Sequence, residues 1–326
     1  MGLRARFHYW RRVFLAYFGR NKSQLSFWYG DPKVNEDASI KKIGQYYMSF
    51  LYKAGYSGPF DKNGIPLLDY RGTIGKQYNP VAIAQYGLGH YNLFKKTADK
   101  RNLNIFLKQA DWLVDNLEVN QKGLKVWMHH FDWEYKENLR APWYSALSQG
   151  QGISLLIRAY LETRDKKYLN SANLAFQSFL KETKQGGVKY RNKDGYVWLE
   201  EYIVEPPTSI LNGFIWALWG VYDYYLLTGD ISAKKLYYDC LKTLKNNLKE
   251  YDTGFWSLYD LSQNKLKSLA SPFYQKLHVV QLKILYKLTK EPLFNKYAEK
   301  WDSYQKNLLF KTFSLIYKII FKIFYY

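Results

Sequence analysis

The chain has 326 residues, enough to bury a core in one large or two modest domains, and its 48 Lys and Arg against 28 Asp and Glu give a formal net charge of +20. Such a balance points to a polyanion or an anionic membrane surface as partner, and nucleic acid is set aside because no helix-turn-helix, zinc or RNA-module signature is present. The single Cys240 excludes an internal disulfide framework, while 32 Tyr and 11 Trp supply flat amphipathic rings suited to an aromatic helical core or to sugar faces.

Met1 to Phe18 is basic and aromatic, but Arg11 and Arg12 interrupt any apolar run and no small-residue cleavage site follows, so no cleavable signal is expected. Residues 1–60 are expected to form a basic helix and a covering arm. Over residues 61–306 a repeat takes over. Four segments, residues 83–117, 152–180, 213–248 and 277–304, each run as an apolar helix to a tyrosine, pass a short polar break, and resume as an amphipathic helix. The landmark tyrosines Tyr91, Tyr160, Tyr222 and Tyr286 are 69, 62 and 64 residues apart. A helical hairpin recurring at that spacing can bury its apolar stripe only against its neighbours. The expectation is a mainly α fold, an α/α toroid of about four hairpins.

Between the hairpins lie aromatic, glycine-punctuated stretches at residues 123–131, 187–202 and 253–260. They are expected to make short β-hairpin excursions that gather at one mouth of the toroid, where loops over a rigid scaffold commonly carry function. The second excursion ends in Glu200, Glu201 and Tyr202, before Pro206 and Pro207 and the next helix. Paired carboxylates beside a tyrosine can move a proton, and because adjacent strand residues point to opposite sides, one of the two glutamates should face the cleft. Tyr86 and His90 share a helical face at the spacing of core packing. His129 and His130 invite a metal, but no third ligand has suitable spacing, so neither metal nor cofactor is expected. Gln149 and Gln151 either donate to sugar hydroxyls or cap the helix that follows.

Residues 307–326 are apolar, with lysines at 311, 318 and 322 that share a helical face. Three charges make a poor membrane span. The segment is either an amphipathic helix lying on an anionic leaflet or a terminal helix packed on the domain. The protein is expected in the cytoplasm or on the cytoplasmic face of the membrane, and a homodimer is allowed.

The blocks Gln77 to Tyr91, Ala146 to Gly152, Glu200 to Phe214 and Tyr251 to Leu261 resemble the D-glucuronyl C5-epimerases, which act on heparan-type chains. The resemblance runs in order from about Gly64 to Tyr304 and covers the catalytic α/α region, as in the short microbial members. It implies inversion of D-glucuronate to L-iduronate in an acidic polysaccharide, heparosan-like or capsular, by removal of the C5 proton and its return to the opposite face. It carries catalytic roles onto Glu201, Tyr202, Tyr259 and Tyr274. Tyr86, Gln149, Gln151, Glu200, Asn212 and His278 stand as substrate-binding candidates. Where animal members place an arginine soon after the Tyr-Asp-Leu run, this chain has Ser262. Lys265, Lys267, Lys276, Arg140 and Arg71 are the cations offered in its place, with Arg140 and Lys276 taken as the binding candidates. A polysaccharide lyase beginning with the same proton abstraction is the rival enzyme, and a non-catalytic glycan-binding or membrane-tethering protein is the third reading.

Overall fold

The computed structural model describes residues 24–134 and 138–325; the basic helix expected at the start of the chain lies outside them. Two short helices come first, α1 (Gln24–Trp28) and α2 (Leu51–Ala54), followed by the antiparallel pair β1 (Leu67–Asp69) and β2 (Lys76–Tyr78), with Leu67 opposite Tyr78. Four helical hairpins make up the body. They are α3 (Pro80–Thr97) with α4 (Lys100–Asp115), α5 (Ala146–Thr163) with α6 (Lys166–Leu180), α7 (Leu211–Thr228) with α8 (Ile231–Asn247), and α9 (Pro272–Thr289) with α10 (Pro292–Lys306). A last helix, α11 (Leu308–Tyr325), packs on α10. The fold is an α/α toroid.

The residue pattern explains which helix of each pair lies inside. In α3, α5 and α7 every residue over the first three turns or more is buried, from Pro80 to Asn92, from Ala146 to Ala159 and from Leu211 to Tyr224. A helix apolar or small all round must be surrounded, so these three and α9 form the inner ring. Their partners bury one stripe only, as with Phe106, Gln109, Ala110 and Leu113 on α4. Helices α5 and α7 cross at their backbones: a Cβ at Gly150 would lie 2.6 Å from the Ala217 Cα, and one at Gly220 would lie 2.4 Å from the Gly150 Cα.

All four hairpin turns have one chemistry. The inner helix ends in a left-handed residue, Ala98, Arg164, Gly229 or Lys290. The threonine before it, Thr97, Thr163, Thr228 or Thr289, donates to the carbonyl four residues back. The same hydroxyl accepts from the amide of the following acidic residue, Asp99, Asp165, Asp230 or Glu291. Three of those acids then cap the next helix. The carbonyl that receives each capping amide belongs to Phe94, Tyr160, Tyr225 or Tyr286. Tyr91 and Tyr222 therefore stand three residues ahead of the equivalent positions Phe94 and Tyr225, while Tyr160 and Tyr286 coincide with them.

Short antiparallel pairs join the hairpins: β3 (Glu118–Val119) with β4 (Lys125–Val126), β5 (Met128–His129) with β8 (Trp143–Tyr144), β6 (Trp133–Glu134) with β7 (Asn138–Leu139), and β9 (Lys189–Arg191) with β10 (Val197–Leu199). The arm over residues 24–60 is tied to the ring by Asn92, which accepts from the Tyr46 amide at 2.7 Å and donates to the Met48 and Ser49 carbonyls. Deeper in, Arg158 and Asp223 form a fully buried ion pair at 2.6 Å, and the Tyr47 hydroxyl donates to the same aspartate at 2.7 Å. No helix among the described residues is long and apolar enough to cross a membrane.

Candidate active site

The first turns of all four inner helices meet at one cleft. Asn79 and Val81 come from α3, Ser145 and Leu147 from α5, Asn212 and Trp216 from α7, and Phe273 and Tyr274 from α9. Each inner helix thus turns its N-terminal, partially positive end toward the same space, an arrangement that favours an anionic occupant. The arm closes one side with Trp28, Tyr29 and Lys53, and the β-hairpins contribute Phe131, Trp133 and Trp143. The walls are largely aromatic.

Glu201 and Tyr202 line this cleft at the end of β10. Both glutamates follow the strand rather than belonging to it, and the bend after Leu199 sends their side chains to different places. Glu200 is tied down: its backbone amide donates to the Val188 carbonyl and its carbonyl accepts from the Ala146 amide, both at 2.9 Å. Its carboxylate accepts from the Ser209 amide at 3.0 Å, the Ser209 hydroxyl at 3.1 Å and the Thr208 amide at 3.3 Å. It is not among the cleft-lining residues, and it fixes the turn that aims Glu201.

Glu201 is buried, and Asn212 Nδ2 lies 3.5 Å from its Oε2. Burial pushes its pKa up to about 8; a hydrogen bond with Tyr202 opposes this, and the nearby carboxylates of Glu200 and Asp260 reinforce it. Burial likewise pushes Glu200 up to about 7, against the pull of its three hydrogen bonds. At neutral pH Glu201 is therefore poised to give or take a proton. Asn212 is itself held by Gln281, whose Nε2 donates to the Asn212 carbonyl at 2.9 Å.

Tyr274 reaches the cleft from the first turn of α9, where Ser271 caps its amide. The Tyr259 ring packs on it at 4.8 Å between centroids. Tyr259 is not itself a lining residue; its backbone spans the Ser268 carbonyl and the Leu211 amide at the start of α7. The structure thus gathers Glu201, Tyr202, Tyr274 and Asn212 at one cleft, with Tyr259 directly behind.

The remaining candidates lie elsewhere. Gln149 grips the Trp127 backbone, accepting from its amide and donating to its carbonyl. Gln151 donates to the buried Tyr46 hydroxyl. His278 is fully buried against Ser257, with burial pushing its pKa down to about 3. Tyr86 packs on Phe60 and His90 in a small aromatic cluster beside the cleft. Arg140 is exposed and paired with Asp132, and Lys276 is exposed and paired with Asp31. Ser262 is buried, donating to Asp260.

Two cleft residues carried no such role in the sequence reading. His129 stacks on Trp143 at 3.9 Å, is buried, and has no partner for either ring nitrogen among the described residues. Burial pushes its pKa down to about 3, so the ring is neutral and offers one donor and one acceptor. Lys53 is the other, and only its place in space reveals it. No three His, Cys, Asp or Glu side chains cluster as metal ligands among the described residues.

A family model described as the D-glucuronyl C5-epimerase C-terminus matches residues 121–303, a span that includes Glu201, Tyr202, Tyr259 and Tyr274. The chain is 34% identical over 233 residues to the D-glucuronyl C5-epimerase of Caenorhabditis elegans, covering 66% of this chain but 38% of that protein. It is 32% identical over 266 residues to an uncharacterized protein of Methanocaldococcus jannaschii, covering 74% of this chain and 84% of the other. Among solved structures, cellobiose 2-epimerase from Bacillus thermoamylovorans B4167 superposes with a TM-score of 0.52 at 14% identity, over 82% of this chain and 66% of that one, a likeness of fold. On the strength of the matched region, this chain belongs to the D-glucuronyl C5-epimerase C-terminal family.

Proposed function

We propose that the cleft inverts C5 of a D-glucuronate residue to L-iduronate within an acidic polysaccharide of the heparosan or capsular type. The observation that carries the reading is Glu201, a buried carboxyl with its pKa pushed up to about 8, beside Tyr202 and in one cleft with Tyr274. Inversion breaks the C5–H bond, sends the electron pair into the adjacent carboxylate as an enediolate, and forms a new C5–H bond from the other face. Two proton-handling groups are needed. Glu201 with Tyr202 forms one unit, and Tyr274, backed by Tyr259, forms the other. Neutral His129 and Asn212 hold sugar hydroxyls, and Trp143 and Trp216 offer apolar faces to the ring.

Incubation with a glucuronate polymer in deuterated water tests this. Deuterium should enter at C5 without shortening of the chain, and Glu201→Gln and Tyr202→Phe should abolish its entry. Unsaturated ends absorbing in the ultraviolet would instead make the protein a lyase. Binding that survives both substitutions, with neither product formed, would make it a glycan-binding protein.

The same proposal places the protein on an anionic membrane surface through α11. That helix docks Phe310, Ser314, Tyr317 and Phe321 on the body and leaves Leu309, Phe313, Ile316 and Ile320 exposed along the adjacent stripe, with Phe313 edge-on to Phe255. An exposed apolar stripe on a chain of net charge +20 suits an anionic leaflet.

A further inference from the structure

Lys53 sits on α2 in the arm and is 1% exposed. Lysines are almost never so buried unless paired with an acid. Its Nζ donates to the Phe27 carbonyl at 2.8 Å, and the rings of Phe27, Trp28 and Tyr52 lie at 4.1, 4.6 and 5.0 Å. No carboxylate pairs with it among the described residues. An ammonium has three donors, and only one has a hydrogen-bond partner here. With no counter-charge, burial alone pushes its pKa well below the lysine range.

Lys53 also lines the cleft shared by Glu201, Tyr202 and Tyr274, and no other lysine or arginine does so among the described residues. The cations anticipated in place of the arginine are engaged or elsewhere: Arg140 with Asp132, Lys276 with Asp31, and Lys265, Lys267 and Arg71 away from the lining. Lys53 precedes the family-matched residues 121–303, so it is a contribution of the arm.

We propose that Lys53 is the cation that receives the uronate carboxylate in this cleft and thereby sets its preference for acidic over neutral sugars. The inference rests on the reading of the cleft as a uronate site. An arriving carboxylate supplies the missing counter-charge, which favours the ammonium that burial alone disfavours, and low polarity strengthens the attraction. The aromatic rings fix the ammonium in place and leave it two unused donors. As the C5–H bond breaks, negative charge grows on the same carboxylate oxygens, and a preorganised ammonium stabilises that growth without reorganisation.

The test is equilibrium titration of a uronate oligosaccharide and of its carboxyl-reduced, neutral counterpart, followed by fluorescence of the cleft tryptophans. The wild-type protein should bind the acidic form at least about tenfold more tightly, and K53M should lose that preference while binding the neutral form unchanged. Preference retained in K53M, or absent in the wild type, overturns the proposal. Should K53M fail to fold, reductive methylation of the wild-type protein gives the reading: the acidic oligosaccharide should protect Lys53 and the neutral one should not, and equal protection or none overturns the proposal. A Lys53-dependent preference without deuterium entry at C5 would sink the reaction and leave this inference standing. Deuterium entry with the preference intact in K53M would do the reverse.

Discussion

Gly213 leaves the space that the Glu201 side chain fills: a Cβ at residue 213 would come within 2.1 Å of Glu201 Oε2 and 2.8 Å of Glu201 Cβ. Gly213→Ala should therefore displace the carboxyl while leaving the helix intact, since alanine favours helix over glycine by about 1 kcal/mol. On the role proposed for Glu201, a displacement of about 1 Å should lower deuterium entry at C5 by about 10²-fold or more. A melting temperature lowered only slightly, checked by circular dichroism, separates this from unfolding.

The raised pKa of Glu201 predicts a pH-dependent stability of definite sign. Its folded value of about 8 lies above the ordinary 4.5, so the fold is favoured by the protonated form. That contribution is complete below about pH 4.5 and is lost as pH rises toward 8. Glu201→Gln, which cannot ionise, should flatten this part of the stability profile and be the more stable protein above pH 8, by about 2 kcal/mol or more. Urea unfolding of both proteins at a series of pH values measures it, and parallel profiles would contradict the assignment.

Removing one member of the buried pair Arg158–Asp223 should be far more damaging than a surface change. Asp223→Ala leaves a fully buried guanidinium without its acid and the Tyr47 hydroxyl without its acceptor. A loss of about 3–5 kcal/mol is expected in denaturant unfolding. Lys235→Ala, which breaks an exposed i, i+4 pair with Asp239, should change stability by about 0.5 kcal/mol or less.

For the last helix, sedimentation with vesicles is the measurement. Wild-type protein should pellet with vesicles rich in anionic lipid and less so with neutral ones. Ile316→Ser with Ile320→Ser removes two exposed apolar side chains, each worth about 1.5–3 kcal/mol when buried. Binding should drop by about 10²-fold or more, while the melting temperature holds.

The hairpins were legible because each inner helix must be apolar for several turns, a pattern that survives even when the landmark tyrosine shifts by one turn, as at Tyr91 and Tyr222. The period of two expected of a strand does not account for the separation of Glu200 from Glu201, because β10 ends at Leu199 and the bend after it divides them. Gln149, Gln151 and His278 could not be placed by pattern: an amide or imidazole on an inner helix serves the backbone of a neighbour as readily as a ligand. Lys53 had no signal at all. It lies in a four-residue helix within an arm of irregular structure, and its importance comes from what surrounds it in space.

The four threonine-acid turns and the four inner-helix N-termini sit at opposite ends of the same helices. One end is standardised, with the same three-residue fitting used four times. The other is individual, each first turn followed or preceded by a different insertion. Such a division lets the reactive rim be rewritten, loop by loop, without renegotiating the frame, and it marks the rim and the arm above it as the places to exchange when the sugar specificity of this toroid is to be changed.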